Sequence, residues 1–407
     1  MDFEKLISKR LGGVDFYKNG YYKFEKYSML KQEYKKNNSQ ELLDFGIGES
    51  YDLPPSVALD ELSKNAFKKG SNIYSDNGIG EYKKAASIYL QEIFNLKIDD
   101  YKNQINHVMG AKSALCILPL ALIDENDIII TTTPGYDVLA NMGSWLNAKI
   151  YKAPLLKCNN YLPNLDIIPE EVYKQTKIFI INYPNNPTGA TANKKFYEKL
   201  IEYALKYDFL IVNDNTYGPL TYKDNPLSIM SIPKAFECAI EIHSMSKAFN
   251  MTGFRMGFVV GNNKIIDIIK KVKDNVDSGQ YIPIQLAASQ AIYNEKEFLK
   301  RLKSKYYIRM KKVSAILNKY NIETNVSNGT FYLYVNAPKS FSSGDEFSRY
   351  LLDNCGIFTI PWDEVEPCIR LSMTFDSTLS DEKFYLELDN RLKRCFWYLK
   401  RVIFDSF

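Results

Sequence analysis

The chain is poor in the residue patterns that mark metal sites, disulfide scaffolds and membrane spans. It has two histidines in 407 residues, which excludes a histidine-rich metal site. Its six cysteines form no CxxC pair, and scattered thiols are typical of a reducing cytosol. No apolar run reaches about 18 residues, and the start lacks the apolar core of a signal peptide. We therefore expect a cytoplasmic protein without a membrane span.

Charge and motif content exclude two further classes. The net charge is +4 and no basic stripe occurs, so nucleic acid is not an expected partner. The segment GIG at 46–48 is not a GxGxxG fingerprint, and the absence of that fingerprint argues against a nicotinamide dehydrogenase. Apolar residues make up 45% and charged residues 25%, an ordinary globular balance. The length suits two or three domain-sized pieces.

Short apolar runs alternate with helix-like patterns from about residue 105 to residue 261. Six segments have the composition of strands: DIIITTT, AKIYKAP, KIFIINYP, DFLIVND, CAIEIHS and RMGFVVG. Three have helical periodicity: AKSALCILPLALI, VLANMGSWLN and FYEKLIEYALKY. This alternation predicts an α/β domain with a mixed, mostly parallel sheet flanked by helices. We assign it to residues 51–284.

The two ends of the chain differ from this middle part. Residues 1–50 are expected to form an N-terminal arm with a short helix, and to contribute part of a small domain. Residues 285–407 combine helices rich in Lys and Glu with the strand-like segments TFYLYVN, IFTIP and CIRLSMTF. We predict a smaller α+β domain there.

Polar clusters follow three of the predicted strands, at 185–190 (NNPTGA), 213–220 (NDNTYGPL) and 243–247 (HSMSK). In a parallel sheet these carboxyl ends share one edge, where ligands bind. Together with Arg255 they bring an amide, a carboxylate, a phenol, hydroxyls, an amine and a guanidinium to that edge. This set suits pyridoxal phosphate (PLP) better than any other common cofactor.

These motifs also carry a family resemblance. NYPNNPTG, DNTY, and SMSK followed by Arg255 occur in the order found in the fold-type I, class I/II aminotransferases, which the chain resembles over roughly residues 40–380. Within that family, YSDNGIGEYKKA, EIHSMSKAFNMTGFRMGFVVGN and KDNVDSGQ are most similar to the LL-diaminopimelate aminotransferase group. The resemblance implies a PLP enzyme that moves an amino group between small amino and keto acids. It also implies a homodimer with shared active sites.

Three residues are predicted to carry the chemistry. Lys247 is the expected Schiff-base lysine and the later carrier of the substrate Cα proton, which requires a lowered pKa. Asp214 ends an apolar strand, and a buried carboxylate needs a partner such as a protonated pyridine nitrogen. Tyr217, three residues on, is expected to donate a hydrogen bond to the cofactor's 3′ oxygen.

The remaining predicted site residues hold the cofactor or the substrate. Arg255, Ser244, Ser246 and the backbone amides of Ala111 and Lys112 are expected to bind the phosphate, the amides at a helix N-terminus. The resemblance implies that the ring of Tyr136 stacks on the cofactor, that the Asn186 amide shares its 3′ oxygen, and that Tyr74 binds the phosphate of the neighbouring subunit. It also implies that the Gly48 backbone lies close to the substrate and that Arg370 binds the substrate α-carboxylate.

The substrate stays open at this stage, because no residue is identified that binds the distal zwitterion of diaminopimelate. One alternative is an aminotransferase for a small or phosphorylated keto substrate of surface-polysaccharide or secondary metabolism. A PLP-dependent amino acid decarboxylase or β-lyase would use the same three residues. A module that binds PLP without catalysis is a further alternative. His243 is expected to pack behind the site without a catalytic role.

Overall fold

The computed structural model describes residues 3–19, 23–294 and 296–404. Within those ranges, none of the helices combines the length and the apolar character that crossing a membrane requires. The helices in the described ranges are α1 (Gly13–Asn19), α2 (Lys23–Asn37), α3 (Ser56–Ala66), α4 (Gly80–Phe94), α5 (Tyr101–Gln104), α6 (Ala111–Leu122), α7 (Val138–Trp145), α8 (Glu170–Gln175), α9 (Lys194–Tyr207), α10 (Ala235–Cys238), α11 (Met245–Ala248), α12 (Asn263–Lys273), α13 (Ile282–Asn294), α14 (Lys296–Lys319), α15 (Gly344–Cys355) and α16 (Asp381–Phe404). The strands are β1 (Leu43–Asp44), β2 (Ile105–Val108), β3 (Ile128–Thr133), β4 (Lys149–Pro154), β5 (Thr176–Asn182), β6 (Leu210–Asp214), β7 (Ala239–Ser244), β8 (Gly257–Gly261), β9 (Tyr332–Asn336), β10 (Ile357–Phe358), β11 (Ile360–Pro361) and β12 (Cys368–Ser372).

A seven-stranded sheet forms the centre of the larger body, in the order β2-β8-β7-β6-β5-β3-β4. Strands β4, β3, β5, β6 and β7 pair in parallel, and β8 pairs antiparallel with both β7 and β2. The predicted mixed, mostly parallel sheet is therefore confirmed. Its central strands are buried, as expected for a sheet with helices on both faces.

Helix α9 shows how local sequence builds this arrangement. Phe196, Leu200 and Ala204 recur every fourth residue and are buried against the sheet. The helix begins where the Asn193 side chain accepts a hydrogen bond from the Phe196 amide at 2.9 Å. It ends at Asp208, whose φ of 58° is the left-handed conformation typical of helix C-termini. The chain then returns into β6.

One edge of the sheet gathers the polar ends of its strands. Strands β5, β6 and β7 end there with Asn182, Asp214 and Ser244. Strand β2 runs in the same direction, because both it and β7 are antiparallel to β8. Helix α6 therefore begins at this edge, and so does β8, just after Arg255.

A second, smaller core lies around a three-stranded antiparallel sheet with β12 between β11 and β9. Helices α14 and α15 pack on this sheet, and α16 packs on both of these helices. The predicted strand IFTIP divides at Thr359 into β10, which pairs with β1, and β11, which pairs with β12. Strand β1 thus joins the smaller body.

The domain limits at 50 and 285 stay predictions. Helix α13, which spans residue 285, packs on α3 and α4 in the larger core.

The N-terminal segment is more helical than predicted. In place of one short helix in an arm, α2 alone covers 15 residues. Its sequence, KFEKYSMLKQEYKKN, is made largely of good helix formers but has little apolar periodicity, so the pattern alone gave a weak signal. Tyr34 buries its ring in a small cluster with Leu42, Phe358 and Trp362, and this tertiary contact supports the helix.

Gly344 offers a test of how the smaller body is held together. A Cβ at this position would overlap the carbonyl oxygen of Cys368 at the start of β12. The Asp363 carboxylate also accepts hydrogen bonds from the amides of Gly344 and Asp345, at 2.5 and 2.9 Å. Gly344→Ala should lower the free energy of unfolding by about 1–3 kcal/mol, the usual cost of overpacking. Chemical denaturation measures this directly.

Gly80→Ala is the matched control, because a Cβ there meets no atom within 4 Å at the start of α4. It should leave stability unchanged or raise it slightly. Equal stabilities of the two variants would contradict the close packing of α15 on β12.

Candidate active site

A cavity of about 370 Å³ opens at the polar edge of the large sheet, against the small sheet. Its lining contains every predicted site residue except Tyr74. The lining residues are Ile47, Gly48, Ala111, Lys112, Tyr136, Asn182, Asn186, Asp214, Thr216, Tyr217, Ser244, Ser246, Lys247, Thr252, Arg255, Tyr332 and Arg370.

Lys247 extends from the short helix α11 into this cavity. Its Nζ donates a hydrogen bond to the Gly48 carbonyl oxygen at 2.6 Å. Burial lowers the pKa of Lys247 to about 8; the Glu49 carboxylate opposes this shift, and the Arg370 and Arg255 guanidiniums add to it. A sizeable fraction of this amine is therefore neutral and nucleophilic near neutral pH, unlike that of an exposed lysine.

Asp214 is a buried carboxylate at the end of β6. Its Oδ1 accepts hydrogen bonds from the Thr216 hydroxyl at 2.6 Å and the Thr216 amide at 3.2 Å. Asn182 fixes the backbone by donating to the Asp214 carbonyl oxygen at 2.7 Å. Burial raises the pKa of Asp214, while the bonds from Thr216 and the charge of His243 oppose the rise. A cationic N–H in the cavity would be a suitable partner.

Tyr217 and Tyr332 form a phenol pair on the small-sheet side of the cavity. Their hydroxyl oxygens are 3.0 Å apart, and burial raises the pKa of Tyr217 well above its ordinary value. Tyr217 therefore stays a neutral phenol that can donate a hydrogen bond. A Cβ at Gly48 would overlap the Tyr332 hydroxyl, so only glycine lets the chain pass this close.

The start of α6 and Arg255 form a cradle for an anion. Gly110 precedes the helix with a φ of 76° and provides no side-chain cap for its first amides, which belong to Ala111 and Lys112. A Cβ at Gly110 would overlap the Arg255 guanidinium, which therefore lies directly against this turn. Arg255 Nη1 donates to the Thr252 carbonyl oxygen at 2.8 Å. Helix amides beside a guanidinium suit a phosphate.

Two buried serines complete the cradle. Ser244 caps α11 by accepting a hydrogen bond from the Ser246 amide at 3.2 Å, and its hydroxyl also donates to the Met256 carbonyl oxygen at 3.4 Å. Both serine side chains line the cavity on the side of Lys247. The motif SMSK thus brings two hydroxyls and an amine to one turn.

Arg370 lies in β12, the middle strand of the small sheet, and is 1% exposed. Its Nη1 donates to Asn186 Oδ1 and its Nη2 to the Gly46 carbonyl oxygen, both at 2.9 Å. The guanidinium stacks on the rings of Tyr332 and Trp362, at 4.1 and 5.1 Å from their centroids. A buried planar cation at a cavity wall suits a carboxylate ligand.

Tyr74 lies outside this cavity and is 79% exposed. Its predicted contact is with the phosphate of a neighbouring subunit, so it stays a prediction that a single chain does not test. Tyr136 lines the cavity at the turn after β3, as its predicted stacking role requires.

Sequence reasoning missed four polar residues of the lining. Asn182 and Thr216 lie inside the quoted motifs, at a strand end and beside Asp214, so their positions carried a usable signal. Thr252 lies between Lys247 and Arg255 in the chain, which was a weaker signal. Tyr332 belongs to a strand in the small sheet, and nothing local to its sequence indicates a site.

Comparisons with known proteins identify the family of the chain. The model of the family Aminotransferase class I and II matches residues 40–382. The LL-diaminopimelate aminotransferase of Methanocaldococcus jannaschii is 41% identical over 379 residues, which is 91% of this chain and 90% of that protein. The enzyme of the same name from Methanococcus maripaludis is 39% identical over 96% of this chain and 95% of its own length.

Among solved structures, substrate-bound BacF from Bacillus subtilis superposes with a TM-score of 0.85 at 27% identity, covering 91% of this chain and 94% of BacF. The predicted fold-type I architecture is thereby confirmed, as is the predicted likeness to the LL-diaminopimelate aminotransferase group. The chain belongs to the aminotransferase class I and II family and is an aminotransferase.

Proposed function

We propose that the cavity holds pyridoxal phosphate and that the enzyme uses it to move an amino group between LL-diaminopimelate and a keto acid, with glutamate as the expected amino donor. The observation that carries the proposal is the meeting of Lys247, Asp214 and Arg370 in one cavity. The relatives named LL-diaminopimelate aminotransferase, at 41% and 39% identity, support the choice of substrate.

The residues fit this cofactor group by group. The cradle of Arg255, Ser244, Ser246 and the first amides of α6 would hold the phosphate. A Cβ at Gly110 would fill part of that cradle. The Asp214 carboxylate would pair with the ring N–H. Tyr136 would stack on the ring, and Tyr217 with Asn186 would donate to its oxygen.

Bound PLP would supply an electron sink for the negative charge that forms at the substrate Cα. Lys247, with its lowered pKa, would act first as the attachment point and then as the base that takes the Cα proton. Arg370 would bind the α-carboxylate and so orient the Cα–H bond toward Lys247. Gly48 would leave room for the substrate beside its carbonyl oxygen, which already accepts a hydrogen bond from Lys247.

We also propose a homodimer in the cytoplasm, with Tyr74 reaching the phosphate site of the neighbouring subunit. Tyr74 is 79% exposed in a single chain, so its side chain is accessible to a neighbouring subunit. Residues 51–284 and 285–407, with the segment up to residue 50, would serve as the large and small domains.

A single-turnover screen tests the proposed reaction. Cofactor-loaded protein is mixed with one amino acid at a time: LL-diaminopimelate, glutamate, aspartate, alanine or phosphoserine. The visible absorbance of the cofactor is followed, and the keto acid formed is identified by mass spectrometry. Conversion of both LL-diaminopimelate and glutamate is the expected result.

Other outcomes separate the alternatives. Conversion of glutamate alone would keep the aminotransferase and remove diaminopimelate, in favour of a small or phosphorylated keto substrate. Release of CO₂ without a keto acid would indicate a decarboxylase. A protein that binds PLP and converts none of these amino acids would contradict the proposed reaction.

The lowered pKa of Lys247 is testable in protein stripped of cofactor. Acylation of its amine should become half-maximal at about pH 8, against 10.5 for an ordinary lysine, because only the neutral amine reacts. Glu49→Gln should move this midpoint to lower pH, because the Glu49 carboxylate stabilises the charged form. Peptide mass spectrometry after labelling across a pH series gives the midpoint.

Lys206 serves as an internal control in the same experiment. It is exposed, and its hydrogen bond with Tyr207 raises its pKa, so it should react only at higher pH. Equal midpoints for Lys247 and Lys206 would show that the cavity does not lower the pKa of Lys247.

Arg370→Lys tests the carboxylate binder. The charge is kept but the two-pronged contact is lost, so kcat/KM should fall by an amount equal to about 2–5 kcal/mol, chiefly through KM. Cofactor absorbance should be preserved. Arg349→Lys on the surface of α15, where the arginine pairs with Asp345, is the control and should leave the kinetics unchanged. Loss of cofactor with unaltered KM would reassign Arg370 to the cofactor.

A further inference from the structure

Tyr332 lines the cavity, but the proposed reaction gives it no role. It is the first residue of β9 in the small sheet and is 2% exposed. The Arg370 guanidinium lies over the face of its ring at 4.1 Å, and the ring of Tyr217 packs against it edge-on, with centroids 5.7 Å apart. Tyr332 therefore contacts both the expected carboxylate binder and the expected donor to the cofactor's 3′ oxygen.

The Tyr332 hydroxyl occupies a defined place in the cavity wall. Its oxygen is 3.0 Å from the Tyr217 hydroxyl oxygen, and among the described residues neither hydroxyl has another hydrogen-bond partner. A Cβ at Gly48 would overlap the Tyr332 hydroxyl, so this hydroxyl lies directly against the Gly48 backbone. The carbonyl oxygen of the same glycine accepts the hydrogen bond from Lys247.

The direction of the bond between the two phenols follows from a count of protons. Each phenol has one proton to donate and lone pairs with which to accept. Burial raises the pKa of Tyr217 well above its ordinary value, so Tyr217 keeps its proton. In the proposed function that proton goes to the cofactor's 3′ oxygen, and the bond between the hydroxyls then needs the proton of Tyr332. The nearby Arg370 is a donor only and offers Tyr332 no competing acceptor.

A donor behind Tyr217 would also change the strength of the bond that Tyr217 makes. A hydroxyl that accepts a hydrogen bond becomes a better donor, because chains of hydrogen bonds polarise one another. Both phenols are buried, Tyr217 at 7% and Tyr332 at 2% exposure, so water does not replace this contact or screen it.

We propose that Tyr332 is a positioning residue of the reaction: its hydroxyl donates to the Tyr217 oxygen and so directs the single proton of Tyr217 at the cofactor's 3′ oxygen. The inference deepens the proposed function and rests on it, because it takes that oxygen as the acceptor for Tyr217. Tyr332 acts through Tyr217 and transfers no proton to the substrate.

Tyr332→Phe tests this role in the PLP-loaded protein, because it removes the hydroxyl and keeps the ring against Arg370. A hydrogen bond to the 3′ oxygen stabilises its negative charge, which is largest when the bound cofactor has lost its titrating proton. Weakening that bond should therefore raise the pH midpoint of the cofactor's visible absorption. The expected rise is roughly 0.1–0.7 pH units, from a strengthening of about 10–30% per bond applied to a charged hydrogen bond.

Two further variants bracket this shift. Tyr217→Phe removes the direct donor, so the midpoint should rise by more than in Tyr332→Phe. Tyr334→Phe is the matched control: it lies two residues further along β9, outside the cavity lining, and its hydroxyl donates to the Trp362 carbonyl oxygen at 3.5 Å. Its midpoint should equal that of the wild type. A wild-type midpoint in Tyr332→Phe, or an equal rise in Tyr334→Phe, would overturn the proposal.

The double variant Tyr217→Phe with Tyr332→Phe shows whether Tyr332 acts through Tyr217. Its midpoint should equal that of Tyr217→Phe alone, because no hydroxyl is left to pass the effect on. Two shifts that add in full would mean that Tyr332 acts on the cofactor independently of Tyr217, against the proposal.

Kinetics separate this role from support of the carboxylate binder. The KM for the amino acid should stay close to the wild-type value in Tyr332→Phe, because the ring against Arg370 is kept. A raised KM with an unchanged absorption midpoint would assign Tyr332 to the support of Arg370 and overturn the proposal.

The failure of this inference differs from the failure of the proposed function. A wild type that binds PLP, beside a Tyr332→Phe protein with an unchanged midpoint, would remove the inference and leave the PLP enzyme intact. A wild type that binds no PLP would remove the proposed function, and the inference with it.

Discussion

Three charged side chains are gathered in one sheltered cavity, between the large and the small sheet. Lys247, Asp214 and Arg370 each lose hydration there, and an isolated buried charge is costly. Neutral polar neighbours offset part of that cost: Gly48 for the lysine, Thr216 for the carboxylate, and Asn186 for the guanidinium. In the proposed function, a ligand with the opposite charges would complete the pairing in the cavity.

The segment 46–48 joins the two bodies at that cavity. Its carbonyl oxygens accept hydrogen bonds from Arg370 and Thr374 of the smaller body at 2.9 and 3.1 Å, and from Lys247 of the larger body at 2.6 Å. Glycines at 46 and 48 make this possible, because a Cβ would overlap Phe358 or Tyr332. One short segment therefore contacts both Lys247 and Arg370.

Site residues at strand ends and in motifs could be predicted from the sequence. Asp214, Ser244 and Lys247 follow apolar strands, and parallel strands bring such positions to one edge. Contacts between segments far apart in the chain could not be predicted in this way. Tyr332 meets Tyr217 across 115 residues of chain, and His243 packs against Phe94 and Phe258. Helix α2 was underestimated for the same reason, since its support comes from Tyr34 against the smaller body.

In the proposed function, Lys247 is the covalent anchor of the chemistry in this cavity. Borohydride reduction of the PLP-loaded protein, followed by peptide mass mapping, tests it most directly. The expected result is the mass of a reduced pyridoxyl phosphate on the peptide that carries Lys247 and on no other lysine peptide. The same mass on a different lysine, or its absence from protein that has bound PLP, would contradict the proposed role of Lys247.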